Sequence, residues 1–181
     1  EQSGLILKLG DFIIDEAFKM LSVLDKKNLN LSIAINISPI QFRYQNLTEL
    51  IIEKSQEYSV DPKRLTIEIT ESTFLDDIEY TKNTLKILQE IGVSISIDDF
   101  GTGYSSLSYL QNLSVDWIKI DKSFINDIDE KNSNLDIVRA ITQMGHAMNI
   151  GIVAEGVETE RQSQILNELN CECFQGYLIS K

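Results

Sequence analysis

The amino-acid sequence predicts an α/β fold in which parallel strands alternate with helices and form part of a (β/α)8-type barrel. Six segments alternate branched apolar residues with small or polar ones, which is the period of a strand. Helical patterns separate these segments, and such regular alternation predicts a parallel sheet with right-handed crossovers. One face of the predicted strands is consistently small or polar. A doubly wound sheet is covered by helices on both faces, so a polar face fits the inside of a barrel better.

Size and charge limit the classes of function. The chain has 181 residues, 43% of them hydrophobic, which is enough for one domain over residues 1–181 with a substantial core. Its 16 basic and 28 acidic residues give a net charge of −12. This charge disfavours duplex nucleic acid and anionic membranes as partners, although a small phosphate ligand can bind through metal ions. No apolar run approaches the roughly 18 residues of a membrane span, so we predict a soluble segment without direct membrane contact.

The cysteines indicate a reducing compartment. Cys171 and Cys173 are the only two, and on a strand their side chains would point to opposite faces, which disfavours a disulfide between them. Two thiols are also too few for a structural zinc site. We interpret them as reduced structural residues of a cytoplasmic protein, or of the cytoplasmic part of a membrane-anchored one. The single His146 lies in a helical pattern and is interpreted as a packing or surface residue.

The first 92 residues are predicted to form three helices and two strands. The helices cover residues 11–26, 47–51 and 78–91, and the strands cover residues 31–38 and 65–71. The buried face of the first helix is predicted from apolar residues on one side of it, namely Phe12, Ala17, Met20, Leu21 and Leu24. Gly10 marks the start of that helix, and Gly92 follows the third helix where a left-handed cap is expected.

The remaining residues are predicted to form four strands and three helices. Three of the strands cover residues 93–97, 115–121 and 174–179, the first of them ending in Asp98, and residues 151–158 form a further strand with the loop after it. The helices cover residues 104–110, a segment around 137–144, and residues 160–169. At the start of the last of these helices, Thr159 and Gln162 have the spacing of a capping box.

Polar side chains end all six predicted strands. They are Asn36, Glu68, Asp98, Lys119, Glu155 and Gln175. Because the carboxyl ends of parallel strands meet at one edge of a barrel, where such barrels place their chemistry, we predict a shared site. Asp98 and Asp99 are adjacent, and neighbouring carboxylates repel each other unless a cation or proton lies between them. A bound metal is one interpretation of this pair, and an Asp that caps a helix is the other.

The donor set predicts hydrolytic chemistry with a hard metal ion. Asn36, Glu68, Asp98, Asp99 and Glu155 offer oxygen ligands without cysteine or histidine, which favours Mg²⁺ or Mn²⁺ over zinc or copper. Two such ions bridged by an Asp could hold a phosphodiester and activate water. Lys119 would orient that water or neutralise developing charge; a structural salt bridge is the alternative. Gly101 and Gly103 do not form a dinucleotide fingerprint, because Ser106 replaces its third glycine.

Six ordered motifs resemble those of the EAL domain, a family of bacterial phosphodiesterases that linearise cyclic di-GMP. They are NIS at 36–38, EITES at 68–72, IDDFGTGYSSL at 97–107, KID at 119–121, AEGVET at 154–159 and QGY at 175–177. The resemblance implies a modified TIM-type (β/α)8 barrel, a two-metal site with Mg²⁺ or Mn²⁺, and hydrolysis of cyclic di-GMP to linear pGpG. It also implies a homodimer and flanking sensor or GGDEF-type domains.

The resemblance also implies a role for each matching residue. Asn36, Glu68, Asp98 and Glu155 would be metal ligands, and Asp99 would join them or help to hold the water. Catalysis would rest on Lys119, Asp99 and Glu155, with Lys119 positioning the water. Glu71 would anchor the loop from Asp99 to Ser106 that links metal binding to dimerisation. Substrate binding or support would come from Gln175, Glu71, Glu158, Gly101, Thr102, Gly103, Tyr104 and Ser105.

One departure from the family pattern leaves other functions open. The chain contains no Glu-Ala-Leu tripeptide, whose Glu is a metal ligand in the family, and it supplies six strands where a closed barrel needs eight. We therefore expect a domain truncated at its N-terminus, and residues 1–181 alone to be inactive. The alternatives are a catalytically inactive cyclic di-GMP receptor or protein-interaction module, and another metal-dependent barrel such as a lyase. The intact Asp98-Asp99 pair disfavours the receptor, and a lyase has no need of the whole loop motif.

Overall fold

The computed structural model describes residues 4–74, 77–102, 110–111, 113–128 and 133–180. The chain divides into two compact units, Glu1–Ser96 and Ile97–Lys181. The first unit contains α1 (Leu5–Lys26), β1 (Ile33–Asn36), α2 (Pro39–Tyr44), α3 (Leu47–Tyr58), β2 (Leu65–Thr70) and α4 (Ile78–Glu90). The boundary falls within β3 (Ser94–Phe100). The second unit continues with β4 (Trp117–Ile120), α5 (Lys122–Ile125), α6 (Ser133–Ala147), β5 (Gly151–Glu155), α7 (Glu160–Glu168) and β6 (Cys173–Gln175).

In the first unit, β1 and β2 are parallel neighbours. Ile33 lies opposite Leu65, and Asn36 lies opposite Glu68 at the carboxyl ends of the two strands. Burial alternates along β2, with its branched apolar residues buried and Glu68 on the half-buried face. The predicted faces of both strands are therefore confirmed. Short 3-10 turns at Pro62–Arg64 and Glu71–Phe74 flank β2.

In the second unit, β5 pairs in parallel with both β4 and β6. Ile120 lies opposite Ala154, and Glu155 lies opposite Gln175. The core of this unit includes fully buried side chains on one face of these strands, among them Ile118, Ile120 and Ile152. Each parallel neighbour is reached through a helical connection, which is the βαβ arrangement that the sequence pattern predicts.

The structure corrects the prediction for the first helix. α1 begins at Leu5, and Gly10 lies buried inside it rather than at its start. A Cβ atom on Gly10 would lie 2.0 Å from Nε2 of Gln41, so the close approach of this side chain explains the glycine. The predicted buried face is also partly wrong, because Phe12 is 61% exposed and Met20 is 53% exposed. The residues that α1 buries are Gly10, Ile14, Ala17, Phe18 and Leu21.

Several strand boundaries also differ from the prediction, and β1 covers only Ile33–Asn36 where residues 31–38 were expected. β3 runs on through Asp98 and Asp99 to Phe100. β4 covers four residues, Trp117–Ile120, where residues 115–121 were expected. β6 ends at Gln175, because the next residues turn back and the N–H groups of Ile179 and Ser180 both donate to the carbonyl of Gly176. The predicted helix over residues 104–110 falls, except for Leu110, outside the described residues.

The sequence prediction missed α2, although its signal is in the sequence. Ser38 caps this helix by accepting a hydrogen bond from the N–H of Gln41, and the Gln41 side chain accepts one from the N–H of Ser38. Pro39 occupies the first helical turn, where its missing N–H costs nothing. The same kind of capping box was predicted at Thr159 and Gln162, and there it is confirmed.

Both cysteines are free thiols, Cys171 buried and Cys173 exposed. Burial raises the pKa of Cys171 to about 12. Its Sγ donates to the backbone carbonyl of Cys173, so this thiol is a packing group. Among the described residues, no helix combines the length and the apolar composition that crossing a bilayer requires.

Candidate active site

The centre of the candidate site is the end of β3. Asp99 has a left-handed backbone with φ of +53°, which is uncommon for a residue other than glycine. In a regular strand Asp98 and Asp99 would point to opposite faces. The left-handed residue interrupts that alternation, and carboxylate oxygens of Asp98, Asp99 and Glu155 lie within 4.8 Å of one another. The local turn is closed by Thr102, whose Oγ1 donates to the carbonyl of Asp99 at 2.9 Å.

Lys119 places a positive charge between two of these carboxylates. It lies on β4 and is only 5% exposed. Its Nζ is 2.9 Å from Oδ1 of Asp98 and 2.7 Å from Oε1 of Glu155. A buried ammonium is stable when it is paired in this way. Loss of either carboxylate would therefore leave the buried charge of Lys119 poorly compensated.

Gln175 also donates to Glu155, at the same carboxylate oxygen that Lys119 contacts. Its Nε2 donates to Oε1 of Glu155 at 2.9 Å, across the parallel pair of β5 and β6. The backbone after Gln175 passes close to Val157, since a Cβ atom on Gly176 would lie 2.2 Å from the Val157 carbonyl oxygen. Gly176 therefore allows β6 to lie close enough for Gln175 to reach Glu155.

Two carboxyl groups here, Asp99 and Asp121, have shifted pKa values. Burial raises the pKa of Asp99, and the charges of Asp98 and Asp121 raise it further, while Lys119 and Lys122 oppose the rise. Burial also acts to raise the pKa of Asp121, but its hydrogen bonds to Ser123 and to the N–H of Lys122 outweigh burial, so that pKa is lowered. A neighbouring cation would therefore favour the charged form of Asp99.

The sequence prediction did not give a role to Asp121, whose charge acts on Asp99. Asp121 directly follows β4 and caps α5 by accepting a hydrogen bond from the N–H of Ser123 at 3.0 Å. A signal was available, because Asp121 lies two residues after Lys119, which places the two side chains on the same side of an extended chain. The prediction considered one polar residue at the end of each strand and so passed over it.

Several other predicted site residues lie in the part of the chain that the structure describes. Asn36 and Glu68 face each other at the ends of β1 and β2 in the first unit. Glu71 is the half-buried first residue of the turn after β2, and Glu158 is exposed, with its N–H donating to Gln162. Gly101 has a left-handed backbone with φ of +97°.

The predicted roles of the site residues remain predictions. Gly103, Tyr104 and Ser105 lie outside the described residues, so the anchoring of their loop by Glu71 is untested. The participation of Asn36 and Glu68 in one metal site with the cluster of the second unit is likewise a prediction.

The residues present fit a hard divalent cation. Asp98, Asp99 and Glu155 each offer a carboxylate oxygen, and these oxygens are close enough together to bind one ion. Carboxylate oxygens are the ligands that Mg²⁺ and Mn²⁺ prefer. The ammonium of Lys119 already lies among these carboxylates, which is consistent with a place where positive charge is stabilised.

Comparison with known proteins identifies the family. The family model of the EAL domain matches residues 1–181, and the chain therefore belongs to the EAL domain family. It is 44% identical over 181 residues to the signaling protein YkoW of Bacillus subtilis (strain 168), covering all of this chain and 23% of that protein. It is 41% identical to the bifunctional diguanylate cyclase/cyclic di-GMP phosphodiesterase MucR of Pseudomonas aeruginosa, covering all of this chain and 27% of that protein.

A solved structure confirms the predicted fold class. The MucR phosphodiesterase in complex with c-di-GMP superimposes with a TM-score of 0.94 and 41% sequence identity, covering all of this chain and 74% of that chain. The fold is thus the TIM-barrel-like α/β fold of EAL domains. The chain spans about a quarter of the length of the two curated relatives.

Proposed function

We propose that the chain belongs to the catalytic part of a metal-dependent phosphodiesterase that hydrolyses cyclic di-GMP to linear pGpG. The observation that carries this proposal is the arrangement of Asp98, Asp99 and Glu155 around one point, with Lys119 bound to two of them. The relative MucR is named a cyclic di-GMP phosphodiesterase, and its solved structure contains c-di-GMP, which supports this substrate.

Each residue of the cluster has a definite task in this reaction. When bound, Mg²⁺ or Mn²⁺ supplies a Lewis acid that polarises the phosphodiester. Asp98, Asp99 and Glu155 hold that charge in place, and Gln175 fixes the orientation of the Glu155 carboxylate through its hydrogen bond. Lys119, paired with Asp98 and Glu155, orients the attacking water. Asn36 and Glu68 are proposed as further oxygen ligands.

The proposal extends to features of the whole protein. A homodimer, flanking sensor or GGDEF-type domains and a role in bacterial second-messenger signalling are proposed from the resemblance to the family. A cytoplasmic location is proposed because both cysteines are free thiols, which reducing compartments preserve.

The activity is tested by incubating the full-length protein with cyclic di-GMP and separating the products by chromatography. We expect linear pGpG in the presence of Mg²⁺ or Mn²⁺ and none after EDTA. Ca²⁺ should bind without supporting hydrolysis, because it is larger and less strict in its geometry. Hydrolysis that EDTA leaves unchanged would contradict the metal-dependent mechanism. Tight binding of cyclic di-GMP without any cleavage would instead indicate a receptor.

A further inference from the structure

A second lysine, Lys122, lies beside the same cluster and is exposed. It follows Asp121 at the start of α5. The base of its side chain lies close to Gly156, the residue after Glu155, since a Cβ atom on Gly156 would lie 2.6 Å from Cβ of Lys122. Its charge acts on the cluster, because it opposes the burial and the carboxylates that raise the pKa of Asp99. Within the described part of the chain, Lys122 forms no ion pair.

The turn that carries Lys122 is firmly held. Asp121 caps its start through the N–H of Ser123, and the Nε2 of Gln162 donates to the carbonyl of Ile125 at its end. Ile125 itself is fully buried. A turn of four residues with these contacts keeps the backbone of Lys122 in place, while its ammonium stays in solvent.

The two lysines therefore have different surroundings. Lys119 is buried and committed to Asp98 and Glu155. Its ammonium neutralises these two carboxylates. The ammonium of Lys122 is open to solvent, in a protein whose net charge of −12 repels an anionic substrate. The ammonium of Lys122, beside Asp98, Asp99 and Glu155, would offset that repulsion where a phosphate group of the substrate approaches.

Building on the proposed function, we propose that Lys122 is a substrate-binding residue that contacts an anionic oxygen of the phosphodiester substrate from the solvent side of the cluster. It contributes affinity for the dianionic cyclic dinucleotide. The chemical step remains with the cluster of Asp98, Asp99, Glu155 and Lys119. The loss of one charge-assisted contact is expected to weaken binding about tenfold.

The test compares Lys122→Gln with Lys86→Gln in the full-length protein. Gln keeps most of the stem that packs against Gly156, and Lys86 is an exposed lysine of α4 with a side chain that is 68% exposed, so both variants lose one surface charge. We expect Lys122→Gln to raise KM and the Kd measured by calorimetry with Ca²⁺ about tenfold, with kcat within about twofold of wild type. Lys86→Gln should leave KM, Kd and kcat unchanged.

Two further measurements test the role of the charge. Lys122→Arg should restore binding, and the salt dependence of Kd should be weaker in Lys122→Gln.

The outcomes separate the two proposals. If wild-type protein neither binds nor cleaves cyclic di-GMP, the proposed function fails and the role of Lys122 fails with it. If wild-type protein binds and Lys122→Gln binds equally well, only the role of Lys122 is overturned. A fall in kcat at unchanged Kd would also overturn it, because that result would place Lys122 in the chemical step. Equal melting temperatures of the variants establish that each is folded.

Discussion

Replacement of Asp98 with asparagine is expected to lower kcat for cyclic di-GMP on the order of 100-fold or more. Asn keeps the shape of the side chain and removes its negative charge, so a metal ligand is weakened while the strand remains intact. Lys119 also loses an ionic partner that lies 2.9 Å from its Nζ. The rate is measured as pGpG formed with saturating Mg²⁺, and the affinity for Mn²⁺ is measured by calorimetry on the same protein.

Asp136→Asn provides the matched control for this prediction. Asp136 lies on α6, its side chain is 79% exposed, and it pairs with Arg139 on the same helix. Such a surface pair contributes little, so this variant should retain wild-type kcat and metal affinity. If Asp98→Asn turned over substrate at the wild-type rate, Asp98 would not be part of the active site.

Replacement of Lys119 with methionine should abolish activity and also reduce stability. Met fills a similar volume without the charge, so Asp98 and Glu155 would face each other in a partly buried place without their shared cation. Their side chains are 14% and 16% exposed, and breaking such a pair by removing one partner costs about 3 kcal/mol in the free energy of unfolding. Urea unfolding in EDTA measures this loss.

Divalent cations should partly reverse the loss of stability in Lys119→Met. An ion that binds the folded cluster neutralises the same carboxylates and stabilises the folded state in proportion to its occupancy. Activity should not return with it, because the ion does not replace the ammonium that orients the water. Equal stability of Lys119→Met and wild type in EDTA would contradict the electrostatic role of Lys119, and Lys86→Met should show no change with or without the metal.

The sequence predicted the strands and the polar residues at their ends well, because both depend on local patterns. A period of two placed Glu68 on the face opposite its buried neighbours, and polar residues at the ends of β5 and β6 predicted the neighbours Glu155 and Gln175. The first helix was harder, since α1 carries apolar residues on two sides. The pattern selected Phe12 and Met20, which are exposed, and did not distinguish them from the side that packs in the core.

Other features depend on contacts that no local pattern records. The buried position of Gly10 follows from the approach of Gln41, and the position of Gly176 follows from the approach of Val157. The left-handed backbone of Asp99 brings neighbouring carboxylates together, although the alternation of a regular strand separates them. These tertiary constraints determine the geometry of the cluster, whereas the sequence indicated only its members.

We infer that Asp98, Asp99 and Glu155 together bind the divalent cation that acts on cyclic di-GMP. Anomalous diffraction from crystals of the protein grown with Mn²⁺ tests this claim directly, because the signal locates the metal without assumptions about its ligands. We expect an anomalous peak within coordination distance of carboxylate oxygens of all three residues, and its loss in crystals of Asp98→Asn. A manganese ion bound elsewhere, with none at these carboxylates, would contradict the account.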